Sequence, residues 1–268
     1  MNIEAKRILI TGGSSGIGLA LAFALGAKGA RIAISGRRPQ ALDTAAAQLL
    51  ASGVEVAKIV ADLGTAEGRA TTLDLALKAL GGMDVLVNNA GGVRAGRLED
   101  TAEAEIRAMI EVDLIAPILL ARAALPALRE SGDALIVNIS SGMGLIGMPF
   151  YSTYAAAKAG IARFGEAMRR ELSGEGIHVL NVYPGATETP MMQGSQVGPD
   201  LGIAREPASA VASATIAAVE ANAFEVIQGG EARAQMIALN RNDPATLDRR
   251  FAEMKPKLAQ AVRGHVSL

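Results

Sequence analysis

The feature that most constrains the fold of this chain is a glycine-rich turn between a short apolar strand and a helix. Residues 6–10 (KRILI) have the character of a strand, residues 11–18 (TGGSSGIG) follow at once, and residues 19–28 show a helical apolar pattern. A glycine-rich turn between a parallel strand and the next helix is typical of sites that bind the phosphates of a dinucleotide. The order therefore predicts a parallel α/β sheet with such a site at its first turn.

Each of the three spaced glycines in this turn is required for a different physical reason. Gly12 lets the backbone turn, Gly16 leaves room for a pyrophosphate, and Gly18 lets the helix pack closely on the strand. The free N–H groups and partial positive charge at the start of the helix favour phosphate. A flexible surface loop would explain the same glycines without a ligand. The contacts expected from this turn are those of Gly12, Ser14, Ser15, Gly16, Ile17 and Gly18.

The end of the second strand carries arginines where a carboxylate would favour NAD(H). Residues 31–35 form the predicted strand, and Arg37 and Arg38 follow it after one glycine. A carboxylate here would accept hydrogen bonds from a free ribose 2′-hydroxyl and repel a 2′-phosphate, whereas guanidinium groups bind phosphate well. The sequence therefore favours NADP(H) over NAD(H). The alternative is a solvated arginine pair before the next helix, which we expect to begin at Pro39.

The rest of the chain continues the alternation of strand and helix. Further strands are expected at about 54–61, 84–87, 134–139, 177–183 and 224–228, and helices at about 65–80, 101–130, 207–222 and around 154–172. Pro117 should bend the long helix at 101–130. Residues 193–205 are polar and rich in glycine, which is typical of a mobile lid. Seven strands alternating with helices predict an α/β fold of Rossmann type, a doubly wound seven-stranded parallel sheet in a single domain.

The last part of the chain is expected to be a helical extension of the same domain. We assign residues 1–230 to the main part and residues 231–268 to the extension. Asp243 and Pro244 have the pattern of an N-cap and a first helical residue, while Pro256 should bend or break the helix. The predicted apolar face consists of Leu247, Phe251, Met254 and Leu258. Three roles are open for it: packing on its own body, contacting another subunit, or covering a substrate cleft.

Composition narrows the class of protein. The 268 residues are half apolar, carry a formal net charge of −1, and include no cysteine and two histidines. Without a basic excess we expect no nucleic-acid partner, and without cysteines there are no disulfides, thiolate zinc sites or cysteine nucleophiles. No apolar run has the length of a membrane span, and the first residues lack the pattern of a signal peptide. We therefore expect a cytoplasmic protein without a metal or a membrane partner.

A second group of residues carries candidate acid–base chemistry. Tyr154 and Lys158 are four residues apart and share one face of the predicted helix, and Ser141 lies thirteen residues before the tyrosine. An ammonium group beside a phenol favours the phenolate, so Lys158 is expected to lower the pKa of Tyr154 from about 10 toward neutrality. The same spacing also arises by chance, when a solvated lysine lies near a tyrosine.

Two other strand ends carry residues suited to a flat cofactor. Asp62 and Leu63 end the third strand, and Asp62 fits either an adenine contact or the N-cap of the next helix. The fourth strand runs into residues 88–92 (NNAGG), whose small side chains let a cofactor lie against the backbone. The alternative for residues 88–92 is an ordinary loop rich in asparagine and glycine.

These motifs, in this order, resemble those of the short-chain dehydrogenase/reductase family, in its compact branch. The resemblance extends from residue 6 to about residue 230. Each motif is modest alone, but five in order, each on the expected element, are highly specific. They are Thr11-Gly12-x-x-x-Gly16-x-Gly18, Asn88-Asn89-Ala90-Gly91, Ser141, Tyr154-x-x-x-Lys158, and Pro184-Gly185 followed by Thr189.

The resemblance implies a role for each matching residue. Tyr154 would be the general acid in carbonyl reduction and the base in alcohol oxidation, Lys158 would lower its pKa and bind the nicotinamide ribose, and Ser141 would hold the substrate oxygen. Ser141 is preferred to Ser140 because its spacing to the tyrosine matches the family, and no lysine lies four residues after Tyr151. The residues implied at the nicotinamide end are Pro184, Gly185, Thr187 and Thr189, and those on the adenosine and ribose side are Asn89, Ala90 and Gly91.

One position departs from the family pattern. The family usually carries an asparagine in the long helix, where the backbone carbonyl completes a proton relay through water to the lysine. The corresponding residue here is Asp113. A buried carboxylate at this place would need partners, and an ionised one would shift the pKa values of Lys158 and Tyr154.

The residues and the resemblance together predict an oxidoreductase that transfers hydride between NADP(H) and the carbonyl or secondary alcohol of a small, mostly apolar substrate. An NAD(H)-dependent enzyme of the same family, or a cofactor-binding sensor or scaffold without catalysis, are the alternatives. The family also implies a homodimer or homotetramer. The candidate residues for an apolar, adaptable substrate pocket are Val93, Met143, Met148, Met191 and Met192.

Overall fold

The strands of the chain form one large parallel sheet and two small pairs in the computed structural model, which describes residues 1–268. The large sheet has the order β3-β2-β1-β4-β6-β7-β10, and every neighbouring pair in it is parallel. The strands are β1 (Arg7–Thr11), β2 (Arg31–Gly36), β3 (Val56–Val60), β4 (Val85–Asn88), β5 (Val93–Arg94), β6 (Ala134–Ile139), β7 (Ile177–Tyr183), β8 (Ala186–Glu188), β9 (Arg205–Pro207), β10 (Glu225–Ile227) and β11 (Val266–Ser267).

Nine α-helices accompany these strands. None of them combines the length and the apolar content that crossing a membrane requires. Their bounds are α1 (Gly16–Gly26), α2 (Pro39–Ala51), α3 (Ala66–Leu80), α4 (Glu103–Ile110), α5 (Ala116–Ser131), α6 (Ser152–Glu171), α7 (Ala208–Glu220), α8 (Gly230–Asn242) and α9 (Pro244–Ala261).

The large sheet is buried on both faces because alternate residues of its strands enter two different cores. In β1, Ile8 and Ile10 belong to the core beneath α1, α2 and α7, whereas Leu9 belongs to the core beneath α3, α5 and α6. Burial on both faces explains why the strands are nearly continuous apolar runs. The predicted doubly wound, seven-stranded parallel sheet is confirmed.

The strand order reverses between β1 and β4, which fixes where a ligand can bind. Chain connections leave β1 toward β2 on one side and leave β4 toward β6 on the other. The loops after the two strands therefore diverge and leave a crevice outside the carboxyl ends of the strands.

The long helix expected at 101–130 is present as a continuous helical segment over 103–131, but it contains a π-helical turn that was not expected. A π-helical turn over Glu111–Ile115 separates α4 from α5, and the N–H of Ala116 bonds to the carbonyl of Glu111, five residues back. Pro117 follows immediately and has no N–H to offer the carbonyl of Asp113, four residues before it. The distortion directs the Asp113 side chain into the interior, where it is 2% exposed.

The extension at 231–268 contains two helices, of which the first, α8, was not anticipated. The second, α9, begins at Pro244 with the side chain of Asp243 accepting a hydrogen bond from the N–H of Thr246 at 3.1 Å, as the sequence predicted. Pro256 does not break this helix, so of the two expected effects, a bend or a break, the break is wrong. Pro256 and Ala252, whose carbonyl loses its helical partner, are both exposed, so water can replace the missing donor.

The extension packs back on its own body. Leu258, Ala261 and Val262 form an apolar cluster with Tyr151 and Tyr154. Beyond α9 the chain forms β11, which pairs antiparallel with β5. The segment before β9 contacts the end of α9, where the N–H of residue 196 donates to the carbonyl of residue 261 at 2.7 Å.

A buried histidine joins the extension to both the body and the segment before β9. The Nε2 atom of His265 lies 3.0 Å from the carbonyl oxygen of Met191, and its Nδ1 atom lies 2.9 Å from the hydroxyl of Tyr151. A carbonyl oxygen only accepts, so Nε2 carries the proton and Nδ1 accepts from the phenol. Burial lowers the pKa of His265 below its ordinary value, and burial raises the pKa of Tyr151 to about 12.

Replacing His265 should change how stability depends on pH. The folded chain binds a proton at His265 less readily than the unfolded chain, whose histidine has a pKa of about 6.5. Above about pH 6.5 the ring is neutral in the folded and the unfolded chain, and its hydrogen bonds contribute fully to the free energy of unfolding. As the pH falls below about 6.5, the unfolded chain takes up the proton first, and this contribution to stability is lost. We expect His265→Gln to lower the free energy of unfolding by about 1–3 kcal/mol at pH 7.5 and by less at pH 5.5.

Urea unfolding at the two pH values measures this effect. The control is His178→Gln, which removes the chain's only other histidine and leaves His265 in place. If His265→Gln lowers the free energy of unfolding as much at pH 5.5 as at pH 7.5, the assignment of a neutral His265 ring with a lowered pKa is contradicted.

Candidate active site

A cleft of about 780 Å³ runs along the carboxyl ends of the central strands. This volume lies in the range of small-molecule and cofactor sites. Nearly every residue that the sequence nominated lies on its wall. The exceptions are Gly18 and Asp113, which do not line the cleft.

The glycine-rich turn forms one end of the cleft. Gly12 and Gly16 have φ angles of +65° and +55°, in the left-handed region that favours glycine. A Cβ atom on Gly18 would lie 2.5 Å from the carbonyl oxygen of Gly12, so the close approach predicted for this glycine is confirmed. Ser15 stands at the N-cap of α1 without a side-chain hydrogen bond to the helix, which leaves the first N–H groups of α1 free for an anion.

A hydrogen-bond clamp holds this turn against the end of β4. The hydroxyl of Thr11 accepts from the N–H groups of Asn89 and Ala90 at 2.9 and 3.0 Å and donates to the carbonyl of Val87. The side-chain amide of Asn89 donates to the carbonyls of Thr11 and Gly12 at 2.8 and 3.2 Å. Asn89 therefore lines the cleft, as expected, but its amide also fixes the turn, which the sequence alone did not reveal.

Arg37, Arg38 and Asp62 lie on the wall beyond this turn, next to the ends of β2 and β3. Both arginines are exposed, and neither forms an ion pair within the chain. Asp62 is not the N-cap of α3, because Thr65 takes that position and accepts from the N–H of Gly68 at 2.9 Å. The Asp62 carboxylate instead accepts from the N–H of Gly64 at 2.9 Å, so the helix-capping alternative was wrong.

The two adjacent serines after β6 have different environments. The hydroxyl of Ser140 is buried and donates to the backbone carbonyl of Lys158 at 2.7 Å, so it anchors α6 to the sheet. The hydroxyl of Ser141 is only half-buried at the cleft and accepts from the N–H of Met143 at 3.1 Å. Its own proton remains available for a ligand, which supports the choice of Ser141.

Tyr154 and Lys158 project from α6 into the same part of the cleft as Ser141. Both are buried, and the Lys158 ammonium lies 5.7 Å from the centre of the Tyr154 ring. The Nζ atom of Lys158 pairs with Oδ1 of Asp113 at 3.0 Å and donates to the carbonyl of Ile139 at 3.2 Å. Asp113 therefore contacts the lysine directly through its side chain.

The backbone of residues 91 and 92 is shaped around this ion pair. The N–H of Gly92 lies 3.3 and 3.2 Å from the two carboxylate oxygens of Asp113. A Cβ atom on Gly91 would overlap the Asp113 carboxylate and lie 3.3 Å from Nζ of Lys158. The glycine predicted to admit a cofactor thus also leaves room for a buried ion pair.

Burial and mutual charge set the protonation of these three groups. Burial raises the pKa of Asp113, while the Lys158 ammonium and the Gly92 N–H oppose that rise. Burial lowers the pKa of Lys158, but the charge and hydrogen bond of Asp113 together with the field of Tyr154 outweigh burial, and the net shift of the pKa is upward. Burial raises the pKa of Tyr154; Lys158 lowers it, Asp113 raises it, and the net direction is also upward. The expectation that Lys158 brings the Tyr154 pKa toward neutrality was therefore wrong for this chain.

The other end of the cleft is apolar and partly built by the extension. All five predicted pocket residues lie on its wall, together with Phe251, Met254 and His265. The contribution of α9 could have been found from its predicted apolar face, which contains two of these residues. Arg233 of α8 also lines the cleft, and no sequence signal pointed to it.

The groups along the cleft fit a nicotinamide dinucleotide. The uncapped start of α1 and the glycine turn suit a pyrophosphate, and small residues line the wall at the end of β4. The residues implied at the nicotinamide end also lie on the wall, and they are Pro184, Gly185, Thr187 and Thr189. They are close to Ser141, because the N–H of Gly142, the next residue, donates to the carbonyl of Pro184 at 2.9 Å.

Comparison with known proteins gives the family. The model of the family described as short chain dehydrogenase matches residues 6–200. The ketoacyl reductase HetN of Nostoc sp. is 32% identical over 254 residues, which cover 92% of this chain and 88% of that protein. A 3-dehydrosphinganine reductase of Arabidopsis thaliana is 36% identical over 192 residues, which cover 70% of this chain and 57% of that protein.

A solved structure agrees with these relatives. A short chain dehydrogenase from Burkholderia cenocepacia, in complex with NADP, superimposes with a TM-score of 0.77 and is 32% identical, covering 85% of this chain and 99% of that one. The chain belongs to the short-chain dehydrogenase/reductase family of NAD(P)-dependent oxidoreductases.

The buried ion pair should be a stability determinant. Asp113→Leu removes the partner of a buried ammonium, so we expect a loss of about 3–5 kcal/mol in the free energy of unfolding. Asp113→Asn keeps an acceptor for Lys158 and should cost less. The double variant Asp113→Leu with Lys158→Met removes both charges and should recover most of the loss.

Urea unfolding of these variants tests the prediction. The control is Glu111→Leu, on the same π-helical turn, whose ion pair with Arg69 is partly exposed and should contribute no more than about 1 kcal/mol. An Asp113→Leu protein as stable as the wild type would be inconsistent with a charged pair.

Proposed function

We propose that the protein is an NADP(H)-dependent oxidoreductase that interconverts a carbonyl group and a secondary alcohol on a small substrate with an apolar body. The observation that carries the proposal is the meeting of Ser141, Tyr154 and Lys158 in a cleft whose other end has an uncapped helix start and a glycine turn. When bound, the nicotinamide cofactor supplies or accepts the hydride.

The side chains of this site suit the proton half of the reaction. Ser141 donates a hydrogen bond to the substrate oxygen and so stabilises the negative charge that develops there. Tyr154 gives its phenolic proton to that oxygen in reduction and takes it back in oxidation. Lys158 keeps a positive charge beside the phenol, which stabilises the phenolate left after proton transfer.

The raised pKa of Tyr154 bears on the protonation state of the phenol before reaction. A phenol with a pKa above its usual value is protonated at neutral pH, which is the form that reduction requires. Asp113 contributes by holding the Lys158 ammonium in place at 3.0 Å, and its backbone carbonyl, which has no helical donor from Pro117, is available to a proton relay.

The preference for NADP(H) rests on charge at the adenosine end. Arg37 and Arg38 follow β2 on the cleft wall, are unpaired within the chain, and suit a 2′-phosphate. The bound NADP of the Burkholderia cenocepacia dehydrogenase is in keeping with this assignment. A sensor or scaffold without catalysis is disfavoured, because this chain retains both the tyrosine and the lysine.

Loss of the Tyr154 hydroxyl tests the mechanism. We expect Tyr154→Phe to lower the kcat for NADPH-dependent carbonyl reduction by roughly 10²–10⁴-fold, because the proton donor is removed. The assay is NADPH oxidation with a panel of ketones and aldehydes, followed by kinetics on whichever is reduced. The control Tyr183→Phe removes a phenolic hydroxyl that lies outside the cleft wall. Wild-type turnover by Tyr154→Phe would show that the mechanism is wrong.

Loss of a guanidinium group tests the cofactor preference. Arg37→Ala should weaken NADPH binding roughly tenfold to a hundredfold and change NADH binding little, because only NADPH carries the 2′-phosphate. Fluorescence titration measures both affinities. Arg107→Ala, an exposed arginine of α4, is the control. Equal affinity of the wild-type protein for the two cofactors would refute the preference.

A further inference from the structure

Arg233 is a cation in the substrate end of the cleft that the reaction described above does not use. It lies in the first turns of α8, half-buried, and lines the cleft together with Ser141 and Tyr154. Its guanidinium takes part in no ion pair and donates no side-chain hydrogen bond within the chain. Burial lowers the pKa of Arg233, and Glu206 is the acidic residue whose field opposes that shift from beyond hydrogen-bond distance.

The residue next to Ser141 is shaped to receive this guanidinium. A Cβ atom on Gly142 would lie 2.7 Å from Cζ of Arg233, so any other residue at this position would displace the cation. Gly142 is itself buried and bonded to Pro184, which fixes its place. Consecutive Cα atoms are about 3.8 Å apart, so the guanidinium lies within a few ångströms of the backbone that carries Ser141.

The charge balance around Ser141 indicates what this cation can bind. Lys158 is neutralised by Asp113 at 3.0 Å, and both ring nitrogens of His265 are occupied by Tyr151 and Met191. Among the residues that line the cleft near Ser141, Arg233 is therefore the cation that no carboxylate of the chain contacts, since Glu206 acts on it only from a distance. A single guanidinium matches a single negative charge, and its planar set of donors fits the two oxygens of a carboxylate.

We propose that Arg233 binds a carboxylate of the substrate, so that the substrates are oxo acids and the corresponding hydroxy acids with an apolar remainder. This inference rests on the proposed function, because it concerns the other end of the same substrate. The methionine-lined wall receives the apolar part, while Arg233 and Ser141 receive the carboxylate and the carbonyl oxygen.

The kinetic experiment compares each acid with its neutral ester. Wild-type protein and NADPH are assayed with 2-oxo, 3-oxo and 4-oxo carboxylic acids and with their methyl esters. We expect the wild type to prefer the acid of at least one pair, and Arg233→Gln to lower kcat/KM for that acid roughly tenfold to a hundredfold while changing that for the ester about twofold or less. Arg233→Lys, which retains the charge but loses the planar donor set, should recover part of the preference.

A control variant and a binding measurement accompany the kinetics. Arg241→Gln changes an exposed arginine at the other end of α8 and should keep the wild-type preference. Thermal unfolding is also followed with hexanoate, benzoate and the two corresponding amides, with and without NADPH. The acids should raise the unfolding midpoint of the wild type more than the amides do, and this difference should vanish in Arg233→Gln.

The outcomes separate this inference from the proposed function. If neutral ketones are reduced but acids are not preferred, or if the preference survives in Arg233→Gln, the carboxylate site is refuted and the oxidoreductase stands. If Arg233→Gln weakens NADPH binding and affects acids and esters equally, the guanidinium serves the cofactor and the inference is wrong. If no carbonyl is reduced, the proposed function fails, and the difference between acid and amide binding decides the carboxylate site alone.

Discussion

The buried contact between Lys158 and Asp113 is the interaction on which the arrangement of this site depends. Two opposite charges sit away from water, so each requires the other and the polar groups around them. The N–H of Gly92 and the carbonyl of Ile139 complete their hydrogen bonds, and these groups follow β4 and end β6. The pair thus joins two central strands to α6 and to the π-helical turn before α5.

The sequence predicted most of the fold and most of the residues that line the cleft near the glycine turn, for physical reasons. The apolar strand runs, the glycine turn and the helix starts depend on local geometry, and local geometry leaves a pattern in neighbouring residues. Thr11 shows what the sequence could not predict. It belongs to the recognised glycine motif, but its hydroxyl accepts hydrogen bonds from the N–H groups of Asn89 and Ala90 at 2.9 and 3.0 Å. Only the parallel pairing of β1 with β4 brings these groups together.

Some of the predictions failed because they depend on the long-range environment of a residue. Tyr154 was assigned a lowered pKa from a lysine four residues away, but its burial is decided by Val93, Met109 and the extension, which are distant in sequence. The π-helical turn inside the helix at 101–130 was missed because the apolar face of the helix continues through it. Arg233 was missed because nothing in the sequence of α8 shows that this arginine lies against Gly142, a residue distant in sequence.

The two ends of the cleft are contributed by different parts of the chain. The loops after β1, β2 and β4 build one end, whereas the segment before β9 and the extension beyond residue 230 build much of the other. Substitutions in α8 or α9 can therefore reshape the substrate end of the cleft without touching the turn at Gly12, so the two ends can change independently of each other.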